Sequence, residues 1–121
     1  IVAGYNVMGI CKAALDACMR YAAYDLGPKG VRVYALSAGP VRTLAGTAAG
    51  VKEMEHLYKA MSPMGRNIEP EEVGRIGAFL LSSMSNGITA EIVHVDCGFN
   101  AMGSPGRVLD KLKQGVNPFT T

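Results

Sequence analysis

Tyr5-Asn6-Val7-Met8-Gly9-Ile10-Cys11-Lys12 is the stretch from which the rest of the 121-residue chain is read. From Val7 to Ala23 there is no proline, and Ala, Leu, Met and Cys dominate. That composition predicts a helix over about Asn6 to Asp25, with Asn6 as its N-cap. Tyr5 and Lys12 stand seven positions apart, close to two full turns, so their side chains fall on nearly one face. A phenol beside an ammonium is a usable pair. The cation favours the phenolate, and both groups donate hydrogen bonds to an oxygen between or beyond them. Gly9 lies on the same face in the intervening turn and leaves a gap for a ligand. The same spacing also suits a helix-start tyrosine and a solvated lysine, so spacing by itself leaves both readings open.

Length and composition bound the remainder. A chain of this size is at most one domain and buries roughly two-thirds of its unfolded surface. Apolar residues make up 49% and charged residues 18%, ordinary for a soluble globular chain. Twelve basic residues against ten acidic give a net charge of +2 with no basic block, which supports neither nucleic-acid nor membrane-surface binding. No apolar run approaches the ~20 residues of a membrane span, and no signal peptide is visible. Cys11 and Cys18 are two helical turns apart, roughly 10 Å, too far for a disulfide. Together with Cys97 they read as three reduced, mostly buried thiols of a cytoplasmic protein. His56 and His94 are widely separated and form no metal-ligand cluster. The chain has no G-x-G-x-x-G and no strand-turn-helix phosphate cradle, so it is expected to be the C-terminal part of a longer chain.

In order, the first helix should stop at Gly27-Pro28 and be buried on more than one side, because its small apolar residues occupy several faces. Val31 to Leu36 reads as a parallel strand. The segment beyond it, Ser37-Ala38-Gly39-Pro40-Val41-Arg42-Thr43, sits where ligands bind in open α/β sheets. There Gly39 permits close backbone approach and Pro40 fixes the path. Leu44 to Gly50 is expected to be a mobile loop. Val51 to Met61 follows as an amphipathic helix with Met54, Leu57, Tyr58 and Met61 on one side, broken at Ser62-Pro63. Glu69-Pro70-Glu71-Glu72 starts a helix running to about Met84 that buries Val73, Ile76, Phe79 and Leu80. Its carboxylates are helix-start residues rather than catalytic acids. Glu91 to Val95 forms a last strand. Residues 104–121 are expected to be a weakly ordered tail in which Val108 to Lys113 makes one or two helical turns.

The string Tyr-Asn-Val-Met-Gly-x-x-Lys resembles the active-site helix of the bacterial enoyl-[acyl-carrier-protein] reductases, the divergent short-chain dehydrogenase/reductases with a Tyr-x6-Lys motif. The likeness continues through Leu26-Gly-Pro-Lys-Gly-Val-Arg-Val33, Ser37 to Thr43, Glu72-Val-Gly74, Ala78 to Ser82, Gly87-Ile-Thr89 and Val95 to Asn100. It covers about Gly4 to Gly103 in order. The ordinary superfamily spacing is absent, since Gly9 stands four after Tyr5.

This resemblance implies an α/β fold, the C-terminal part of a Rossmann-like doubly wound parallel sheet over residues 1–103. It also implies reduction of trans-2-enoyl-acyl-carrier-protein thioesters by NADH, with NADPH possible, in a cytoplasmic homotetramer whose subunits meet partly through the first helix. Tyr5 and Lys12 would be catalytic. Lys12, Gly39, Pro40, Val41, Arg42, Thr43, Leu44 and Ala45 would bind cofactor, with the Val41 backbone at the nicotinamide carboxamide and the Thr43 hydroxyl at the phosphates. Tyr5, Met8 and Ala45 would line the acyl site, and the helix over 51–61 would act as a lid on it. Asp96-Cys97-Gly98 departs from the family's Asp-Gly-Gly, and a positive φ at Cys97 would be strained. Two other readings stay open: a carbonyl reductase of the wider superfamily, and a non-catalytic fragment acting only by association.

Overall fold

The structure, a computed structural model, describes residues 5–41 and 51–118, the side chains of 51–54 excepted. The described backbone falls into two compact units. The first takes residues up to Leu36 and Gly77–Val93, the second Ser37–Ile76 and residues from His94 on.

Helix α1 spans Asn6–Leu26. It starts one residue earlier than expected, because Asn6, the expected cap, is already its first residue. Tyr5 is the N-cap residue and its carbonyl accepts the Gly9 N–H at 2.7 Å. Asn6 is already helical, and its Oδ1 accepts the Val7 N–H at 2.8 Å. At the other end Gly27 stays right-handed (φ −52°) and the chain tightens into a 3-10 turn, Gly27–Lys29. The left-handed residue that stops it is Gly30, at φ +76°. The expected burial of α1 on several sides is not found. Only Met19 and Ala23 are buried, while Val7, Ile10, Leu15, Tyr21 and Tyr24 are exposed. The large apolar side chains of α1 meet little of the described chain. Cys11 and Cys18 are exposed as well, and only Cys97 is the buried thiol expected of all three.

Strand β1 is Ala35–Ala38, later than the expected 31–36, and β2 is Ile92–Val95. Val33 lies outside the regular ladder because its N–H goes to the Thr89 hydroxyl at 3.1 Å. Its carbonyl accepts from Ala90, which sits at φ +61°. The ladder settles only from Ala35, whose N–H donates to Glu91, and continues to Gly39, whose N–H donates to Val95. These pairs advance together along both strands, so the two strands run parallel.

Helix α2, Val51–Met61, and helix α3, starting at Pro70, lie as expected, but α3 ends at Leu81 rather than Met84. Its last carbonyls are capped by side chains. Ser82 Oγ donates to the Phe79 carbonyl and Ser85 Oγ to that of Leu80, both at 2.7 Å. Arg32 reaches the carbonyls of Leu80, Ser82 and Ser85 at 2.8, 3.0 and 2.9 Å, and Arg32 Nη1 also meets the Tyr34 hydroxyl. A 3-10 turn, Ser83–Ser85, follows. Helix α4, Arg107–Lys113, packs on α2 and buries Val108. Among the described residues no helix is long and apolar enough to cross a membrane.

Candidate active site

In the first unit, α1 carries three of the residues singled out by the sequence. Tyr5 begins the helix and is 45% exposed, Met8 is 48% exposed, and Lys12 is exposed two turns further on. Between them, a Cβ added to Gly9 would meet nothing within 4 Å. Tyr5 and Lys12 therefore bound an open strip on the helix surface, roughly 10 Å from Cα to Cα at 1.5 Å rise per residue. A hydroxyl and an ammonium at the two ends of such a strip can bind a polyhydroxylated or anionic ligand laid along it.

In the second unit, Gly39, Pro40 and Val41 leave β1 half-buried. Gly39 has a packing reason to be glycine beyond any ligand. A Cβ there would stand 3.2 Å from Asp96 Cα and 3.3 Å from its Cβ, so the exits of β1 and β2 pass too closely for a side chain. Pro40 forms one wall of a cavity of about 310 Å³ that Lys59, Arg66 and Asn67 also line. Asn67 Oδ1 is buried without a partner among the described residues. Arg42, Thr43, Leu44 and Ala45 lie outside the described residues.

Asp96 organises the turn after β2. Its carboxylate accepts the N–H groups of Gly98 at 2.9 Å and Asn100 at 2.7 Å, capping the 3-10 turn Phe99–Ala101. Phe99 stacks on Tyr58 of α2, with centroids 3.8 Å apart. Burial, and then the nearby Asp96 carboxylate, push the Tyr58 phenol above its ordinary pKa, so it stays protonated at neutral pH. Cys97 does take the strained geometry, at φ +56°. Burial raises its thiol pKa, which makes it a packed side chain rather than a nucleophile. Glu72 accepts the Glu69 N–H at 2.8 Å and pairs with both Arg66 Nη atoms at 2.7–2.8 Å. This is the helix-start role its position in the sequence indicated.

Nothing in the local pattern points to the work done by Arg32, Arg66 and Arg107. Each bonds groups that lie off its own element or at an interval no helical or strand period marks, so periodicity carries no signal for them.

A proline-free helix opening on an exposed Tyr/Lys pair, followed by parallel strands whose exits approach at a glycine, defines an α/β protein of Rossmann type, here its C-terminal part. Solved structures agree. The enoyl-[acyl-carrier-protein] reductase (NADH) of Aquifex aeolicus superposes with a TM-score of 0.81 at 45% identity, covering 86% of this chain and 41% of that one. The enoyl-(acyl-carrier-protein) reductase of Anaplasma phagocytophilum in complex with NAD gives 0.80 at 43%, covering 88% and 38%. Residues 1–100 match the family model described as enoyl-(acyl carrier protein) reductase, and the chain belongs to that family. Among its relatives, the NADH-dependent enoyl-[acyl-carrier-protein] reductase FabI of Rickettsia felis is 49% identical over 105 residues, 86% of this chain and 40% of that protein. The NADPH-dependent FabI of Staphylococcus aureus is 47% identical over 106 residues, 84% and 40%. The chain thus spans about two fifths of the length of the curated relatives it matches.

Proposed function

We propose that this chain supplies the enolate-stabilising and ribose-holding part of an NAD(P)H-dependent reductase of trans-2-enoyl-acyl-carrier-protein thioesters, working in fatty acid synthesis. The observation that carries the reading is the open strip on α1, with Tyr5 and Lys12 at its ends and Gly9 bare between them. A strip of that kind fits a nicotinamide ribose, whose hydroxyls need a cationic or hydrogen-bonding partner and a surface free of side chains. When bound, the nicotinamide supplies the hydride that adds to the substrate β-carbon.

Negative charge then develops on the thioester oxygen. The Tyr5 hydroxyl donates a hydrogen bond to that oxygen, which stabilises the transition state more than the ground state. Lys12 holds the ribose hydroxyls and lends its charge to the phenol. Met8 and Ala45 are assigned to the acyl chain, and α2 is assigned the role of its lid. The backbone of Val41 serves the carboxamide, with Gly39, Pro40, Arg42, Thr43 and Leu44 completing the cofactor contacts. Relatives named for NADH and for NADPH both stand close, so either cofactor is consistent. Assembly as a cytoplasmic homotetramer is part of the same reading, supported by the exposed apolar side chains of α1, which suit contact with a second chain.

In the native protein, Tyr5→Phe is expected to lower kcat roughly 10²–10³-fold, the cost of losing one donor to a developing oxyanion, with cofactor affinity little changed. Lys12→Ala is expected to weaken NAD(P)H binding instead, read by fluorescence titration. The reverse pattern overturns the assignment. Assaying a 3-oxoacyl thioester beside the enoyl thioester separates this reading from a carbonyl reductase. Cofactor titration of these 121 residues alone addresses the associating-fragment reading, with weak or no binding expected.

A further inference from the structure

The family match ends at residue 100, yet the chain beyond it is folded. We propose that α4 is a strap on α2, fastened by Arg107 as a positioning residue, and that this fastening sets how readily α2 opens over the acyl chain. The strap stands on the structure alone, whereas its effect on substrate rests on the reading of α2 given above.

Arg107 Nη2 donates to the carbonyls of Ser62 at 2.5 Å and Pro63 at 2.7 Å, the first two residues past the end of α2. These carbonyls lie at the negative end of the α2 dipole, so a guanidinium is well suited to hold them, and that of Ser62 also accepts the Gly65 N–H at 2.9 Å. The seat beneath is well made. Ser62 is 1% exposed and its hydroxyl donates to the Arg66 carbonyl at 2.9 Å. Pro63 presses so closely on Gly98 that a Cβ there would lie 2.8 Å from its ring. Tyr58 is stacked on Phe99, and Asn67 Nδ2 donates to the Glu55 carbonyl at 3.1 Å.

The strap itself is slight. Helix α4 has seven residues, too few to persist without tertiary contacts, and of these only Val108 is buried. A short helix held by one buried side chain and one cation can let go without unfolding the turn beneath it. The turn over residues 62–66 keeps its own tie, Ser62 Oγ to the Arg66 carbonyl, when it does.

The test uses the native protein with Arg107→Met and, as the milder change, Arg107→Lys, which keeps the charge but loses the planar fork. Hydrogen exchange of amides over residues 55–62 should quicken about tenfold in Arg107→Met, with protection over 73–80 unchanged. In the same variant KM for a long-chain enoyl thioester should rise severalfold, while kcat and NAD(P)H affinity hold. Arg107→Lys should fall between, and it carries the test if Arg107→Met fails to fold. Unchanged exchange over 55–62 overturns the strap. Quickened exchange with an unchanged KM overturns its control of substrate. If the unaltered protein reduces no enoyl thioester, the reading of function fails, and exchange still decides the strap.

Discussion

Helices α1 and α3 divide the labour of the chain in opposite ways. The longer one, α1, carries the residues to which the chemistry is assigned, and little of the described chain holds it. Its N-cap makes no side-chain bond, it has no acid in its first turn and no base in its last, and only two of its 21 residues are buried. Helix α3 has 12 residues and carries no assigned chemistry, but it is tied at both ends. Glu72 and Arg66 hold its start, and Arg32, Ser82 and Ser85 close its finish. On the proposed reading, the residues that meet the ligand and the residues that hold the fold sit on different elements. A helix that must present an open strip leaves side-chain volume off that strip and gives up packing there.

The largest effect that would break this contrast lies at Arg32. Its guanidinium serves carbonyls of Leu80, Ser82 and Ser85 and stands 5.3 Å from the centre of the Tyr34 ring. Hydrogen bonds to a charged donor contribute about 1.5–3 kcal/mol, more than neutral ones, and their loss leaves carbonyls at a helix end short of partners. Arg32→Met is expected to lower stability by about 2–3 kcal/mol, measured as a shift of the urea midpoint at constant m-value. Amides of the last turn of α3 should lose protection while those of α1 do not change. If α1 loosens equally, the two helices share their support and the contrast fails.

The same contrast explains what could be read in the sequence. The helices α1, α2 and the start of α3 were legible because each has a local signature: a proline-free apolar run, an apolar side at helical spacing, a proline among acids. The shared face of Tyr5 and Lys12 is legible because seven positions on a helix are close to two full turns. The strained backbone at Cys97 was legible as a departure from a Gly-Gly turn, and φ is indeed positive there. What escaped was long-range. No local pattern tells that Arg32 will close a helix about fifty residues away, and that use of Arg32 and Thr89 is also why β1 begins at Ala35 and α3 stops at Leu81. Burial of α1 was misjudged because apolar composition states what a helix can cover, not whether a neighbour is present to be covered.

At the other end of α3 the effect is smaller and depends on pH. The hydrogen bonds from Arg66, then that from the Glu69 N–H, hold the Glu72 carboxyl well below its ordinary value, at about 2. A carboxyl whose pKa is lower folded than unfolded stabilises the fold above its unfolded value, about 4.3, and loses that contribution as pH falls towards 2. Glu72→Gln keeps a side-chain acceptor for the Glu69 N–H but removes the charge and turns one of the two acceptors facing Arg66 into a donor. The variant should be less stable than the parent at pH 7, by less than Arg32→Met, and the gap should narrow below about pH 4.3 and close only below about pH 2. Urea midpoints across that range decide it, and a gap that persists at low pH assigns the effect to shape rather than charge.

The smallest effect is the one that joins stability to function. Glycine inside a helix costs about 0.5–1 kcal/mol relative to alanine, chiefly in backbone entropy. At Gly9 the added methyl group meets open space, so Gly9→Ala should recover about that amount without a clash. Protection of α1 amides in hydrogen exchange should rise with it. On the proposed reading the same methyl stands between Tyr5 and Lys12, where the ribose lies, so KM for NAD(P)H should climb severalfold in a protein that has become more stable. A gain in one with a loss in the other means that the looseness of α1 follows from keeping its strip bare. Should Gly9→Ala stabilise the chain and leave every kinetic constant alone, the strip is ordinary surface, and the difference between α1 and α3 is one of packing only.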